Sequence, residues 1–363
     1  MKNKELSNYL NQGIENIIRK VMSGSLTNTK EITFLLKYSS YCKKASKIRN
    51  DMESKGLHIP VFLISSITHS CNLHCKGCYA RDNGICCDNT EKQLLGKDDW
   101  SNIFKQAKDI GISFHILAGG EPLTRMDVIS QATKFPQIIF LIFTNGTLID
   151  KNYLQLFNKN RNLVPVISIE GTESTTDSRR GNGVYKNVLN KIEQLKENKI
   201  LFGTSITVTK ENLNEVTSES FIKVLEDFGC QVIFFIEYVP INSQTRHLAF
   251  TDIERSLLEK NQEKLKQMFT SILFLSFPGD EKKMGGCLAA GRGFFHINPY
   301  GGAEACPFSP YSDRSLKDYS LMEVLESPFF QKLQSQQLVG SEHIGGCTLF
   351  EQENKVRALL KEI

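Results

Sequence analysis

The stretch Ile59-Pro-Val-Phe-Leu-Ile-Ser-Ser-Ile-Thr68-His-Ser-Cys71-Asn-Leu-His-Cys75-Lys-Gly-Cys78-Tyr79 joins a run of β-branched and aromatic residues to three thiols in one short loop. The run from Val61 to Thr68 has the composition of a buried strand. Three and then two residues separate the cysteines, so a single loop can wrap all three around one small inorganic centre. Four cysteines fill every iron of a [4Fe-4S] cluster, whereas three leave one iron with an open position that can take a substrate as ligand. Structural zinc is a competing reading, because His69 or His74 can supply its fourth ligand. Buried thiols with no ligand are the third.

Downstream, short apolar runs alternate with amphipathic, Lys-rich segments. The pattern predicts strands over Val61 to Thr68, Ser113 to Leu117, Ile138 to Phe143, Pro165 to Ile169, Phe202 to Val208 and Gln231 to Tyr238. Helices are predicted over Asp98 to Ile110, Asp127 to Lys134, Lys151 to Phe157, Val184 to Asn198, Asn214 to Phe228 and Asp252 to Phe269. Strands that each lead into a helix argue for an α/β fold with a parallel sheet and right-handed crossovers, closed or partly closed into a barrel. Chemistry in such folds sits at the strands' C-terminal ends, which is where the three-thiol loop falls. The single Trp100 is expected to pack a helix onto the barrel.

With 363 residues and 40% hydrophobic composition, the chain can bury one large domain plus an appendage. A net charge of +4, spread along the chain, does not imply nucleic acid as a partner. No segment approaches the roughly 20 apolar residues of a membrane span, and the polar, helix-prone N-terminus lacks a secretory signal's apolar core. A cytoplasmic location is therefore expected, and ten cysteines there read as metal ligands or free thiols rather than disulfides. Cys42 and Cys230 read as core thiols.

After the second predicted strand, Ala118-Gly119-Gly120-Glu121-Pro122 places paired glycines and a carboxylate where a ligand can approach the backbone and an ammonium can be bound; a tight turn ending at Pro122 explains the string as well. Together, the CxxxCxxC loop and this GGEP string resemble the radical S-adenosylmethionine (radical SAM) superfamily, whose usual fold is a full or partial (β/α) barrel. The resemblance spans roughly Ile59 to Cys347. It implies a partial (β/α)6 TIM-like barrel, with Cys71, Cys75 and Cys78 holding a [4Fe-4S] cluster whose open iron chelates S-adenosylmethionine. One departure is Gly77, where the family often carries an aromatic residue, with Tyr79 following the third cysteine instead; contact with adenine there is through the backbone. Gly119, Gly120 and Glu121 are implied to bind the cofactor's methionine amino group.

The third strand ends in Thr144-Asn145-Gly146 and the fourth in Ser168-Ile169-Glu170, small polar groups suited to a ribose or carboxylate. Turn formation explains Asn145-Gly146 equally well. Ser168 and Glu170 resemble the family's Ser-Leu-Asp segment. Arg179-Arg180-Gly181-Asn182-Gly183 resembles a family Arg-Gly-x-Gly segment; Arg180 can hold a carboxylate bidentately or simply be solvated. Val239, after the sixth strand, resembles an adenine-contacting position, although core packing accounts for its apolar character.

Near the C-terminus, Phe294 to Gly302 reads as a β-hairpin that brings Cys287 and Cys306 together, with Cys347 further on in Gly345-Gly346-Cys347. This resembles the opening of a SPASM domain in its shortened twitch form, which carries a second, auxiliary [4Fe-4S] cluster. Free structural thiols are the alternative. Cys86 and Cys87 are open candidates for a hydrogen donor, an acid/base group or the missing ligand. The expected division is an N-terminal helical segment over 1–56, the barrel over 57–272 and an auxiliary-cluster unit over 273–363.

The resemblance implies reductive cleavage of S-adenosylmethionine to a 5′-deoxyadenosyl radical that abstracts hydrogen from a substrate, with a flavodoxin- or ferredoxin-type electron donor. Twitch and SPASM relatives commonly modify peptides or proteins, so peptide maturation leads. A small molecule of the nucleotide or tetrapyrrole class stands second. A non-enzymatic iron-sulfur carrier or metal scaffold has no use for Gly119 to Pro122.

Overall fold

Parallel strands with a helix after each can bury both faces only if one face packs on the helices and the other turns inward, and the chain does both. A computed structural model describes residues 3–25, 28–87, 91–241, 243–277, 284–339 and 347–363. Seven successive strands run parallel: β1 (Phe62–Ser66), β2 (Phe114–Ala118), β3 (Ile139–Thr144), β4 (Leu163–Ser168), β5 (Gly203–Val208), β6 (Val232–Glu237) and β7 (Leu273–Phe277). Three short strands, β8 (His296–Ile297), β9 (Gly302–Glu304) and β10 (Arg314–Ser315), extend the sheet on the β1 side in the order β10-β9-β8-β1-β2-β3-β4-β5-β6-β7.

The helices before the C-terminal part are α1 (Asn3–Gly24), α2 (Thr29–Ser54), α3 (Tyr79–Asp82), α4 (Lys97–Asp109), α5 (Met126–Ala132), α6 (Lys151–Lys159), α7 (Glu173–Arg180), α8 (Val184–Glu197), α9 (Leu213–Val216), α10 (Glu219–Asp227) and α11 (Asp252–Met268). After the sheet come α12 (Leu321–Leu325), α13 (Pro328–Ser335), α14 (Thr348–Glu351) and α15 (Glu353–Lys361). All six expected strands are present. The sheet also runs one strand past the expected (β/α)6 set, and β7 begins one residue beyond the expected boundary at 272. Its five residues, Leu-Phe-Leu-Ser-Phe, are too few to display a strand period beside the Gly- and Pro-rich stretch that follows. The helix expected over Asn214 to Phe228 is interrupted, because Ser218 turns the chain and caps α10 by accepting from Phe221 N at 3.2 Å. Helix α7 was not expected.

Alternation along the strands sorts their side chains into two cores. Leu63, Leu117, Phe140, Ile142, Ile206 and Phe235 point outward and join the helices, among them fully buried Trp100 on α4. Val61, Ile139, Val164, Val166, Val232 and Phe234 form a separate inner core, completed by Ile14, Ile18 and Val21 of α1 and Leu35 and Tyr38 of α2. The N-terminal helices therefore floor the barrel. Arg49 fastens them: its guanidinium donates to Gly111 O, to Ser113 Oγ at 3.1 Å and to Asn11 Oδ1 at 2.5 Å, while Tyr38 Oη donates to Ser113 O at 2.5 Å. On the open side Phe294 stacks between Phe62 (centroids 5.1 Å apart) and Phe277 (5.6 Å), which brings β1 and β7 against a shared ring.

Candidate functional site at the barrel mouth

Parallel strands leave their C-terminal ends on one rim, so the loops after β1 to β6 meet there. A cavity of about 510 Å3 opens among them, and Cys71, Cys75, Cys78, Gly77 and Tyr79 all line it, together with Gly119, Gly120, Glu121, Asn145, Ser168, Arg179, Arg180 and Val239. Thr144 and Glu170 stand directly behind this lining. The expected residues thus converge on one space from five separate loops.

The loops brace one another. The paired glycines serve the thiol loop's backbone: a Cβ at Gly119 would lie 2.4 Å from Thr68 O, and one at Gly120 would lie 2.1 Å from Ser70 O. That closeness lets Gly120 N donate to Thr68 O at 3.0 Å and Glu121 N to Ser70 O at 2.8 Å, pinning the entry to Cys71. Gly77 has φ +61°, and the space beside its Cα is filled by Tyr238, whose Oη would lie 2.7 Å from a Cβ there. The aromatic ring missing from position 77 is supplied from the end of β6.

Glu121, only 1% exposed, accepts three hydrogen bonds from the protein: Leu123 N at 2.9 Å and Thr144 Oγ1 at 2.6 Å on Oε1, and Asn145 N at 2.8 Å on Oε2. Burial still raises its pKa, against the lowering effect of those donors. Asn145 is a turn residue, accepting from Thr147 N at 3.0 Å, and it also donates to Asn72 Oδ1 in the thiol loop at 2.8 Å. Both sequence readings of the Asn145-Gly146 pair therefore have a place: the turn is formed, and Asn145 faces the cavity.

Neither arginine is solvated. Arg180 Nε donates to Glu170 Oε1 at 2.9 Å and Arg179 Nη1 to the same oxygen at 2.5 Å, while Glu170 Oε2 accepts from Thr207 N at 3.0 Å. The carboxylate that Arg180 holds is the protein's own. Its Nη1 also lies 4.0 Å from Cys75 Sγ. Burial raises the Cys75 thiol, and Arg180 and Arg179 pull it back; burial pushes Cys71 up to about 11. Arg179, Ser205, Thr207 and Tyr238 line the cavity without having been singled out as site residues. Ser205 and Thr207 lie two apart on β5 and so share its lumen-facing side, a periodicity that was available.

The hairpin forms as expected: β8 and β9 are antiparallel, and Asn298 Oδ1 holds their turn by accepting from Tyr300 N and Gly302 N. Buried Cys306 interacts with Cys347 and Cys287, and burial raises it well above its ordinary range, reinforced by both thiols. Gly345 and Gly346 lie outside the described residues. The two thiol sets approach each other through Tyr79, whose ring lies 5.0 Å from that of Phe308. Cys86 is buried against Ala80 and Ile85. The Cys87 carbonyl pairs with His69 Nδ1 at 3.0 Å, and the His69 ring stacks on Tyr300. Among the described residues no three His, Cys, Asp or Glu side chains converge closely enough for one metal ion. Cys230, donating to Val232 O at 3.3 Å, and Cys42 are core thiols.

Such a rim, with thiols and polar loops at the ends of parallel strands, is the layout of a cofactor-dependent barrel enzyme. Residues 65–221 match the Radical SAM superfamily. The AdoMet-dependent heme synthase of Methanosarcina barkeri is 26% identical over 302 residues, covering 76% of this chain and 84% of that one. The antilisterial bacteriocin subtilosin biosynthesis protein AlbA of Bacillus subtilis is 24% identical over 333 residues, covering 82% and 69%. Among solved structures, Streptococcus suis SuiB bound to precursor peptide SuiA superposes with a TM-score of 0.63 at 17% identity, over 81% of this chain and 70% of that one. Residues 65–221 thus form a radical SAM domain, the mark of enzymes that use S-adenosylmethionine and a [4Fe-4S] cluster. Among the described residues no helix is long and apolar enough to cross a membrane.

The donor set fits that cluster: three thiols face one space, beside a guanidinium, in a loop whose backbone is pinned by Glu121 N to Ser70 O and by Lys76 N to Arg179 O at 2.8 Å, and whose Asn72 side chain is held by Asn145.

Proposed function

We propose that this enzyme matures a peptide or protein by hydrogen abstraction, with Cys71, Cys75 and Cys78 as the ligands of its S-adenosylmethionine-binding cluster. The observation that carries the reading is the convergence of those thiols with Gly119 to Glu121, Asn145, Ser168 and Arg180 on one cavity. When bound, the cluster and cofactor supply one electron and a 5′-deoxyadenosyl radical that takes a hydrogen atom from the substrate.

The chain's own residues bind, orient and shield. The Gly119–Glu121 backbone, held rigid by the Glu121 carboxylate, would receive the cofactor's ammonium; Ser168 would face its carboxylate, with Arg180, already paired with Glu170, lending its charge nearby. The backbone at Gly77, Tyr79 and Val239 flanks adenine. Apolar walls below the rim exclude water from the reacting centre. Cys287, Cys306 and Cys347, in the unit over 273–363, would hold an auxiliary cluster, with Tyr79 and Phe308 packed between the two thiol sets. A flavodoxin- or ferredoxin-type protein would deliver the electron. The resemblance to AlbA favours a peptide; the resemblance to a heme synthase favours a tetrapyrrole as the second reading.

Anaerobic reconstitution with iron and sulfide, reduction in the presence of S-adenosylmethionine and chromatography for 5′-deoxyadenosine test the proposal. Cleavage above a Cys75→Ala control, accelerated by a peptide substrate and accompanied by a mass change in it, is expected. Acceleration by a tetrapyrrole and by no peptide selects the second reading, and no cleavage above the control overturns both.

A further inference from the structure

The cavity at the barrel mouth continues downward between the strands to α1, and its chemistry changes on the way. Its charged lining residues all belong to the rim: Glu121 in the loop after β2, Glu237 at the end of β6, and Arg179 and Arg180 at the C-terminal end of α7. Each is matched by protein groups: Glu121 by its three donors, both arginines by Glu170, and Glu237 by Arg255 at 2.9 Å. Ser168, Ser205 and Thr207 follow in the upper lumen, the first two 3.1 Å apart through their hydroxyls. Below them the walls are hydrocarbon, with Ile64, Ile116, Leu141, Phe234 and Leu275 around the lumen and Leu10, Ile14 and Ile17 on the floor.

The floor has one gap. Gly13 lines the cavity from the middle of α1, and a Cβ built on it meets no atom within 4 Å. Glycine in a helix interior costs roughly 1 kcal/mol relative to alanine. Neither φ nor a close neighbour requires it here, so the space it leaves is what sets it apart from its neighbours on the helix.

We infer that the lumen is a receiving chamber for an uncharged hydrocarbon side chain of the peptide substrate, with Gly13 setting its depth. The inference rests on the maturase reading and deepens it. A group that enters must shed its water, and the lower walls, whose one polar side chain among the described residues is the Tyr9 phenol, offer no ion to compensate a charged one. A nucleotide triphosphate finds no uncommitted cation among the described lining residues. An aliphatic or aromatic side chain gains by burial there and presents its C–H bonds toward the thiol rim.

The test uses the reconstituted enzyme with S-adenosylmethionine bound and titrates N-phenyl-1-naphthylamine, a neutral apolar fluorophore. Saturable binding is expected, weakened at least about tenfold in Gly13→Phe and less in Gly13→Ala. The melting temperature of Gly13→Phe should equal or exceed the parent's, which separates a filled chamber from a damaged fold. N-acetyl-phenylalaninamide should displace the fluorophore and N-acetyl-lysinamide should not. Equal binding by parent and Gly13→Phe, or loss of binding when S-adenosylmethionine is added, overturns the chamber. Displacement by neither amide overturns the side-chain assignment. An enzyme that binds the fluorophore as expected and cleaves no S-adenosylmethionine refutes the proposed function while the chamber stands; cleavage without fluorophore binding does the reverse.

Discussion

At the residue scale, eight of the ten cysteines divide by what surrounds them. Cys71, Cys75 and Cys78 face a cavity, Cys287, Cys306 and Cys347 cluster beside the β8–β9 hairpin, and Cys42 and Cys230 are packed in the core. Replacing any one of Cys71, Cys75 and Cys78 with alanine is expected to abolish 5′-deoxyadenosine formation, whereas Cys306→Ala should keep it while losing the modified product, both read by chromatography. Equal loss in all four would contradict the division of labour. The glycines make a second contrast. Gly120→Ala drives a methyl group into Ser70 O, a backbone atom that cannot swing aside, and should lower the melting temperature and the iron bound per chain. Gly77→Ala meets only the end of the Tyr238 side chain and the cost of a left-handed φ of +61°, about 1 kcal/mol. Iron content should therefore fall further in the first variant than in the second.

At the element scale, the strands and most helices were legible because burial on both faces leaves unbroken β-branched runs, and because Lys-rich amphipathic segments separate them. What the glycines at 119 and 120 are for was not legible. They admit the neighbouring loop's backbone, a contact between residues some fifty positions apart that no local pattern encodes. That the carboxylate beside the arginine pair is the protein's own Glu170 was not legible for a similar reason, since Glu170 lies outside the helix that carries them. The N-terminal helices were visible as helices, yet their place under the barrel depends on buried polar clasps. One is Glu31, whose Oε2 lies 3.4 Å from Arg161 Nη1. Burial raises the Glu31 carboxyl from 4.5 to about 7, with Arg161 acting against it. The folded state thus holds a proton that the unfolded chain releases near 4.5. That contribution to stability is full below about 4.5 and is lost as the pH rises through 7. Melting temperature should fall between pH 5 and pH 8, and Glu31→Gln should flatten the fall; superimposable profiles would contradict it. Glu121→Ala leaves three donors without their acceptor, and calorimetry should show a loss of about 2–4 kcal/mol.

At the scale of the whole molecule, a barrel floored by two helices and rimmed by braced loops separates two tasks. The rim positions charge and polar groups, and the lumen below is lined mainly by apolar side chains. The account's central claim is that the three-thiol loop holds a cluster with one iron free for S-adenosylmethionine. Electron paramagnetic resonance of the reduced, reconstituted Cys306→Ala enzyme measures that most directly, because it isolates the first cluster. Addition of S-adenosylmethionine should shift the [4Fe-4S]+ signal. An unchanged signal, at a full complement of iron, would contradict the account.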